Sequence, residues 1–456
     1  METADRTTPA GVADAQGQRA GDPPADDRFD AVIVATPDMS GRLLGRRHSA
    51  AHYAASAARA VQTCDIVLGW GLEHELLDGF ATIGWEHGYG DLRLVPDPAT
   101  LRPLGWAPRT GIVLADVTDL DGHDLAIAPR TLLRQQLERA REAGYEPRVT
   151  SELEFYVFAE TPEQLAAAGH RPPTPHRATL QPELAEAIGR DDELLRTLFA
   201  ALAATGIEVE TAKTEYSPGQ YEVTLVPTGV LEMADRHALY KLGTREVCRQ
   251  HGLGASFMAK WDAGAAGSSA HLHLSLEDAD GRNLFAADER LLAAFAAGLQ
   301  HHAREFFLLW APYPNSFKRL RPGTFAPANL SWGGDNRTVA FRATGRGGSR
   351  HLENRIPGAD VNPYLAYAGL LAAGLDGVAR ELTPQGDVSG NAYDATDVPP
   401  LPASLDEAIE AFRAGPTARA AFGDAAVEHI AHFAACELEA SRHAVTDWDR
   451  RRLLGI

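Results

Sequence analysis

The 456-residue sequence has few cysteines, fewer cations than anions, and no long apolar run. Its three cysteines, Cys64, Cys248 and Cys436, are scattered and show no CxxC spacing, which excludes a disulfide framework and predicts a reduced, cytoplasmic protein. No apolar run reaches the roughly 18 residues that a membrane-spanning helix needs. The N-terminus lacks a basic region followed by an apolar stretch, so we expect no signal peptide.

Acidic residues outnumber basic ones by 62 to 43, and the net charge is −19. This balance excludes a general nucleic-acid or anionic-membrane partner. It leaves room for local basic pockets, and residues 318–327, KRLRPGTFAP, place three cations in four positions before a Pro-Gly turn. Basic loops of this kind typically hold anions, so the apolar ring of Phe325 near the end of this loop needs an explanation.

Composition divides the chain into three parts. Residues 1–27 are rich in Ala, Asp, Gly and Pro and predict a disordered tail. Short strands and turns follow to about residue 125, including the runs FDAVIVA, DIVLGW and TGIVLADV, and they indicate a small β-rich domain over residues 28–125. Alternating strands and helices indicate a larger domain over residues 126–456.

Two helices in the larger domain have recognisable ends. One is predicted to begin at Pro129 and to end at Gly144, with leucines between them at helical spacing. The other is apolar, with Asn362 as its N-cap and Pro363 at its first position. It is short and includes Asp376, which favours a buried core helix over a membrane segment.

Acidic residues recur at strand spacing in two segments. In SELEFYVF, Glu152 and Glu154 are two residues apart, so both carboxylates lie on one face of the strand. In KTEYSPGQYEVTL, Glu215 and Glu222 flank a Pro-Gly turn. Such a face is either solvated or, if it is buried, neutralised by a cation, because an unpaired buried carboxylate is costly.

Two further segments add nitrogen ligands and another carboxylate. The strand GSSAHLHLSL places His271, His273 and Ser275 on one face, and RHLENRIP places Glu353 and Arg355 on another. Five carboxylates with one imidazole suit a hard cation such as Mg²⁺ or Mn²⁺ better than structural zinc. The alternative is that the histidines only satisfy each other within the protein.

Arginines cluster in KRLR and in NRTVAFR (residues 336–342). They could form surface salt bridges, or their planar guanidinium groups could bind phosphates. Carboxylate-bound metals together with phosphate-binding arginines are the usual elements of phosphoryl transfer.

Taken in order, these segments resemble the glutamine synthetase family. The resemblance covers about residues 30–450 and is strongest in GYGDLRLVPDPATL, EYSPGQYEV, PNSFKRLRPGTFAPANLSW, DNRTVAFR and ENRIPGADVNPYLAYAGLLAAGLDG. It implies an α+β fold, with an N-terminal β-grasp domain and a catalytic α/β domain built on a curved antiparallel sheet. It also implies a homo-oligomer, commonly a dodecamer of two stacked hexamers, with each site between two subunits.

The resemblance implies roles for individual residues. One metal would be held by Glu154, Glu215 and Glu222, and the other by Glu152, His271 and Glu353. Arg319, Arg355 and Gly267 would bind glutamate, and His273, Ser275 and Arg342 would bind ATP. Arg337 would stabilise the transferring phosphoryl group, Glu215 would also be catalytic, and Asp78 would bind the amine. The implied reaction activates the γ-carboxylate of glutamate as an acyl phosphate, which an amine nitrogen then captures.

The sequence departs from the family where ammonia is bound. Phe325 replaces the glutamate that helps to take a proton from ammonium, and Ala266 replaces an asparagine. The family's tyrosine near the ammonium pocket is missing, since no tyrosine lies between Tyr156 and Tyr216. These changes predict an organic amine with a neutral tail, such as ethanolamine or an alkylamine, as in the γ-glutamylethanolamide and γ-glutamylalkylamide synthetases.

Three alternatives stay open at this point. The chain could be a γ-glutamylpolyamine synthetase, in which another acid binds the second charge of the amine. It could be an ordinary glutamine synthetase, with Phe325 only packing under its loop. It could also be a non-catalytic structural or nitrogen-sensing protein, against which the intact metal positions argue. Tyr393 either packs in its loop or corresponds to the tyrosine that some family members adenylylate.

Overall fold

The computed structural model describes residues 27–179 and 182–456, so the predicted disordered tail lies outside the described residues except for Asp27. The described chain contains two sheets, one before residue 125 and one after it. The predicted domain boundary falls between the last strand of the first sheet and the helix that begins at Pro129.

The first sheet is mixed and has the strand order β2–β1–β6–β4–β3, with β5 beside β6. Its strands are β1 Ala31–Pro37, β2 Leu43–Ser49, β3 Val61–Cys64, β4 Asp91–Pro96, β5 Arg102–Pro103 and β6 Thr110–Thr118. Strands β1 and β6 are parallel, and both are buried along most of their length. The other pairs are antiparallel.

One predicted strand in this region is wrong. The run DIVLGW does not continue β3; residues Asp65–Leu68 form a 3₁₀ turn, and all four are buried. The physical reason is that a short apolar run with no alternation is equally compatible with a buried turn of helix. The Asp65 backbone N–H donates to Gly90 O at 2.9 Å, outside any ladder.

The second sheet holds the segments singled out above. Its order is β13–β14–β15–β12–β7–β9–β8, with β10 and β11 beside β7, and all pairs except β13–β14 are antiparallel. The strands are β7 Glu146–Phe158, β8 Val209–Thr214, β9 Gln220–Leu225, β10 Thr228–Gly229, β11 Gly254–Ser256, β12 Ala270–Glu277, β13 Trp332–Gly334, β14 Phe341–Thr344 and β15 His351–Asn354.

Helices pack against these sheets and against one another. In chain order they are α1 Ala50–His52, α2 Pro129–Glu142, α3 Pro162–Ala167, α4 Ala185–Arg190, α5 Asp192–Ala204, α6 Val230–Gln250, α7 Leu284–Ala287, α8 Glu289–Trp310, α9 Pro363–Ala379, α10 Leu405–Ala414, α11 Pro416–His443 and α12 Asp447–Leu453. Helix α11 is interrupted at Gly423, which has φ +78°. Among the described residues, no helix is both long and apolar enough to cross a membrane.

Both predicted helix ends are confirmed. Helix α2 begins at Pro129, and Gly144 follows its last turn with φ +85°, a conformation that favours glycine. The Asn362 side chain accepts a hydrogen bond from the Tyr364 N–H at the start of α9. Helix α9 is buried along almost its whole length, as expected of a core helix.

A buried guanidinium joins the first sheet to the helices of the larger part. Arg130 on α2 donates to Asp116 Oδ1 at 2.7 Å, to Asp97 Oδ2 at 2.9 Å and to Asp235 Oδ2 at 3.1 Å. Asp116 lies on β6, whereas Asp235 lies on α6. The Asn362 amide adds a second connection by donating to the Asp38 and Met39 carbonyls. These contacts anchor β6 to α2 and α6, and the end of β1 to the start of α9.

The first prediction concerns this connection. We expect Arg130→Met to lower the free energy of unfolding by about 3–5 kcal/mol, because three carboxylates lose one buried cation. The exposed pair of Arg196 with Asp192, 3.8 Å apart, supplies the control; Arg196→Met should change the value by less than about 1 kcal/mol. Urea denaturation measures both, and equal effects of the two variants would contradict the role given to Arg130.

Candidate active site

The register of the second sheet brings the predicted ligands onto neighbouring strands. Glu152 on β7 lies opposite His271 on β12, and Glu154 on β7 lies opposite Glu222 on β9. On the far side of β12, His273 lies opposite Glu353 on β15. Because side chains alternate along a strand, the acidic and imidazole groups fall on one face of the sheet, and the leucines of β12 fall on the other.

One cluster combines carboxylates with imidazoles. His271 Nδ1 lies 2.8 Å from Glu152 Oε1 and 3.4 Å from Glu353 Oε1. Ligand atoms of Glu152, His273 and Glu353 also lie within 4.8 Å of one another. Burial, followed by the charge of Arg355, lowers the pKa of His271 to about 4, so its ring is neutral. A neutral imidazole beside ionised carboxylates is what a divalent cation requires.

The two carboxylates of this cluster are held in their charged form. Burial alone would raise the pKa of Glu353, but Arg355 and then His271 outweigh it and bring the pKa to about 2. Burial likewise opposes ionisation of Glu152, and its hydrogen bonds with His271 and His273 hold its pKa well below the ordinary value.

The second cluster has an excess of negative charge. Glu154 accepts hydrogen bonds from Ser269 Oγ at 2.6 Å and from the Ser269 N–H at 3.0 Å. Burial, followed by repulsion from Glu215, nevertheless raises the pKa of Glu154 to about 7. Burial, followed by repulsion from Glu152 and Glu154, raises the pKa of Glu222 to about 9. These carboxylates lack sufficient positive charge, so the donor set fits a hard divalent cation.

Lys213 is a cation of the chain itself that contacts this cluster. Its Nζ lies 2.8 Å from Glu215 Oε1 and 3.2 Å from Glu222 Oε1. Sequence reasoning missed this residue, although a signal was present. Lys213 precedes Glu215 by two positions in an extended segment, which places both side chains on one face.

The arginines predicted to bind glutamate are buried close to this face. Arg319 lies so close to Gly267 that a methyl group there would be 2.2 Å from Arg319 Cγ. Arg355 contacts Glu353 through Nη1. Buried Nε–H groups of both Arg319 and Arg355 have no partner. Unpaired guanidinium donors of this kind are suited to the carboxylates of a small ligand.

A cavity of about 890 Å³ opens on the same sheet face. Its lining includes Glu152, Lys213, Glu222, His273, Ser275 and Arg337. Arg342 lies beside the clusters, with its Nη1 donating to Glu353 Oε2 at 3.0 Å. His273 Nδ1 is 3.1 Å from His351 Nε2, a contact that the sequence did not suggest.

The loop of residues 318–327 places Phe325 beside Arg355, at the exposed edge of the site that is called its mouth below. Phe325 has φ +57°, the residue is 51% exposed, and its carbonyl accepts from Arg355 Nη2 at 3.4 Å. The Tyr393 hydroxyl donates to the neighbouring Ala326 carbonyl at 3.1 Å, which favours a packing role for that tyrosine.

Asp78 is the predicted site residue that the chain does not bring to the others. It lies on the loop between β3 and β4, where its carbonyl accepts from His432 Nε2 and its carboxylate accepts from the Gly79 N–H.

The fold and the site match known proteins. Residues 126–453 match the family model described as the glutamine synthetase catalytic domain. The chain belongs to the glutamine synthetase family. As a member of this family, the chain is an ATP-dependent carbon–nitrogen ligase. ATP and divalent metals are typical of the family.

Two relatives and one solved structure are informative. The chain is 42% identical over 457 aligned positions to the gamma-glutamylethanolamide synthetase of Streptomyces coelicolor, covering 99% of this chain and 97% of that one. It is 36% identical to the glutamate–isopropylamine ligase of a Pseudomonas species, covering 94% and 95%. A structure of GmaS without ligand has a TM-score of 0.82 at 27% identity, covering 94% of this chain and 97% of that one. The predicted family and α+β fold are thereby confirmed.

The second prediction is that a divalent cation displaces protons from the acidic cluster. Without metal, the raised pKa values of Glu222 and Glu154 favour their protonated forms near pH 7, whereas ligands bind metal in their ionised form. Calorimetric titration of Mg²⁺ or Mn²⁺ in two buffers of different ionisation enthalpy should therefore show proton release at pH 7. Release should be smaller at pH 9.5 and in Glu222→Gln. Metal binding without proton release at pH 7 would contradict this.

The same pKa shifts set the sign of a pH effect on stability. A carboxyl group whose pKa is raised on folding holds more protons in the folded than in the unfolded chain between the two pKa values. Relative to metal-free Glu222→Gln, the free energy of unfolding of the metal-free wild type should therefore fall as the pH rises from 7 to 9, and the metal should oppose this loss most strongly at pH 9. Comparing the two proteins removes the opposite contribution of Lys241, whose pKa burial lowers to about 7.

The third prediction concerns Lys213. In Lys213→Met, the carboxylates of Glu215 and Glu222 lose their counter-charge, so the metal-free variant should melt at a lower temperature than the wild type. Mg²⁺ or Mn²⁺ should raise its melting temperature by more than in the wild type, because no ammonium group competes for the same oxygens. Exposed Lys318 provides the control, Lys318→Met, in which both quantities should stay unchanged. Identical metal-induced shifts in Lys213→Met and in the wild type would contradict the prediction.

Proposed function

We propose that this chain joins the γ-carboxylate of L-glutamate to a small primary monoamine, with ethanolamine as the best candidate, while ATP is converted to ADP and phosphate. The observation that carries the proposal is Phe325, an apolar ring at the mouth of an otherwise charged site. The names of the two relatives described above support it, since one is an ethanolamide synthetase and the other an isopropylamine ligase.

Glutamate is bound by Arg319 and Arg355 in this proposal. Their unpartnered Nε–H groups are buried and available to carboxylate oxygens. Gly267 has no side chain, which leaves room for the Arg319 side chain to pack against it. A bound anion would therefore satisfy donors that are costly to bury without an acceptor.

ATP occupies the large cavity, where His273 and Ser275 line one wall and Arg337 lines another. Two Mg²⁺ or Mn²⁺ ions belong to the site, one with Glu154, Glu215 and Glu222 and one with Glu152, His271 and Glu353. When bound, they supply positive charge that neutralises the phosphates during transfer. Arg337 is positioned to stabilise the transferring phosphoryl group, and Arg342 to contact the nucleotide phosphates.

The reaction then has two steps. The γ-carboxylate oxygen of glutamate attacks the γ-phosphorus of ATP, the bond from that phosphorus to the β,γ-bridging oxygen breaks, and ADP leaves. The amine nitrogen next attacks the acyl carbon of γ-glutamyl phosphate, phosphate leaves, and the nitrogen loses a proton. Glu215, a buried carboxylate of the acidic cluster, is the base that accepts this proton in the scheme.

Phe325 decides which nitrogen enters. A carboxylate at this position would attract ammonium, whereas a ring face attracts the carbon substituent of an amine and offers cation–π attraction of about 0.5–2 kcal/mol. A polyamine would carry a second charge to the mouth, where Phe325 offers no carboxylate. These considerations favour a monoamine with a neutral tail.

The site also needs a second copy of the chain in this proposal. Asp78, the predicted amine-binding residue, contacts His432 of its own chain through its backbone carbonyl and does not contact the clusters. We infer that it serves a neighbouring subunit in a ring-shaped homo-oligomer, a dodecamer of two stacked hexamers. The cytoplasmic location predicted from the cysteines stays a prediction, and all three cysteines are unpaired.

The fourth prediction tests the amine. ADP release with glutamate, ATP and a panel of amines should be supported by ethanolamine and short alkylamines and only weakly by ammonium. Phe325→Glu should lower kcat/KM for ethanolamine by about 10- to 100-fold and raise it for ammonium. The reason is that the carboxylate disfavours the neutral tail of ethanolamine and attracts ammonium, each by about 1–3 kcal/mol. Phe325→Gln, which has the size of glutamate without its charge, should not gain use of ammonium.

Each contrary result has its own meaning. ADP release with ammonium alone would show that the chain is an ordinary glutamine synthetase. Release with putrescine or spermidine but not with ethanolamine would identify a polyamine ligase. A complete absence of release with every amine would favour a non-catalytic role.

A further inference from the structure

Two half-exposed aromatic rings meet at the mouth of the site. Tyr216 is 56% exposed and Phe325 is 51% exposed, and their ring centroids are 6.0 Å apart with a tilt of 38°. They come from segments far apart in the sequence, the β8–β9 hairpin and the loop of residues 318–327. Adjacent apolar rings left in water beside a charged pocket indicate a surface that a ligand covers.

The backbone holds both rings in place. Tyr216 directly follows Glu215, and its N–H lies 3.2 Å from Glu215 Oε2. Phe325 has φ +57°, in the left-handed region that non-glycine residues seldom occupy. Its carbonyl accepts from Arg355, and the next carbonyl accepts from Tyr393. A strained residue fixed by such contacts is typical of a binding site.

The pair lies beside two groups that the proposed function places around the glutamate γ-carboxylate. Tyr216 is next to Glu215 of the acidic cluster, and Phe325 contacts Arg355, which is proposed to bind glutamate. An amine that approaches the glutamate γ-carboxyl group from this side has its nitrogen toward Glu215 and its substituent across the two rings.

The two rings differ in one group. Both offer apolar faces to methylene carbons, but Tyr216 also has a phenol hydroxyl. Within the described part of the chain, no protein group hydrogen-bonds this hydroxyl. It is therefore available to a hydroxyl group at the end of a short amine, which an alkylamine of the same length lacks.

We propose that Tyr216 is a specificity-determining residue for the amine: its ring and that of Phe325 form one apolar surface for the amine's carbons, and its hydroxyl hydrogen-bonds the terminal hydroxyl of a hydroxyalkylamine. This inference rests on the proposed function. It extends the amine pocket beyond Phe325 and gives a physical reason for preferring ethanolamine to an alkylamine.

The test compares ethanolamine with n-propylamine, in which a methyl group replaces the hydroxyl. Tyr216→Phe should lower the ratio of kcat/KM for ethanolamine to that for propylamine by about three- to tenfold, because only the hydroxyl is lost. Tyr216→Ala should raise KM for both amines by about tenfold while KM for glutamate and ATP changes less than about twofold. Trp448→Ala removes an equally exposed ring on α12 and should change none of these values.

The outcomes separate the inference from the function on which it rests. One outcome is that the wild-type enzyme uses amines, but Tyr216→Phe keeps the wild-type ratio of kcat/KM for ethanolamine to that for propylamine, and Tyr216→Ala keeps the wild-type KM for both amines. Tyr216 then has no part in specificity, and the ligase assignment stands. If wild-type enzyme uses ammonium alone, both fail. Melting temperatures of the variants identify any loss of folding, and Tyr216→Phe retains the ring if Tyr216→Ala does not fold.

Discussion

Carboxylates that face one another across neighbouring strands are the constraint on which the rest of this site depends. The pairing of β7 with β9 and β12 places Glu154 opposite Glu222 and Glu152 opposite His271, all largely shielded from water. Repulsion between buried acids is costly, and the raised pKa values of Glu154 and Glu222 express that cost. Lys213 at one end and Arg355 at the other supply part of the missing positive charge.

These charged clusters on the sheet contrast with the apolar mouth formed by Tyr216 and Phe325. The arginines, the acids and the large cavity suit glutamate, nucleotide and divalent cations, which are requirements shared across the glutamine synthetase family. Tyr216 and Phe325 do not serve those ligands, because half-exposed rings offer little to a phosphate or a carboxylate. Because the charged residues and the two rings are separate, residues for the nitrogen donor can change without altering those that suit glutamate and nucleotide.

Much of this arrangement follows from local rules in the sequence. Two-residue spacing on a strand predicts which of Glu152, Glu154, His271 and His273 share a face, and Asn362 before a proline predicts where α9 begins. The run DIVLGW shows where such rules fail, because a short apolar stretch does not distinguish a strand from a buried turn of helix. The contact of Tyr216 with Phe325 depends on how two distant segments pack, which spacing cannot predict. The place of Asp78 likewise depends on how the loop between β3 and β4 packs against α11, which spacing cannot predict either.

A competition between nitrogen donors tests the central claim most directly. The enzyme would receive limiting glutamate, ATP and Mg²⁺ with equal concentrations of ethanolamine and ¹⁵N-ammonium, and mass spectrometry would quantify the products. A charged site with an apolar mouth predicts γ-glutamylethanolamide as the dominant product. Dominant ¹⁵N-glutamine would contradict the account, because it would show that the loss of the acid at position 325 left ammonia as the preferred nucleophile.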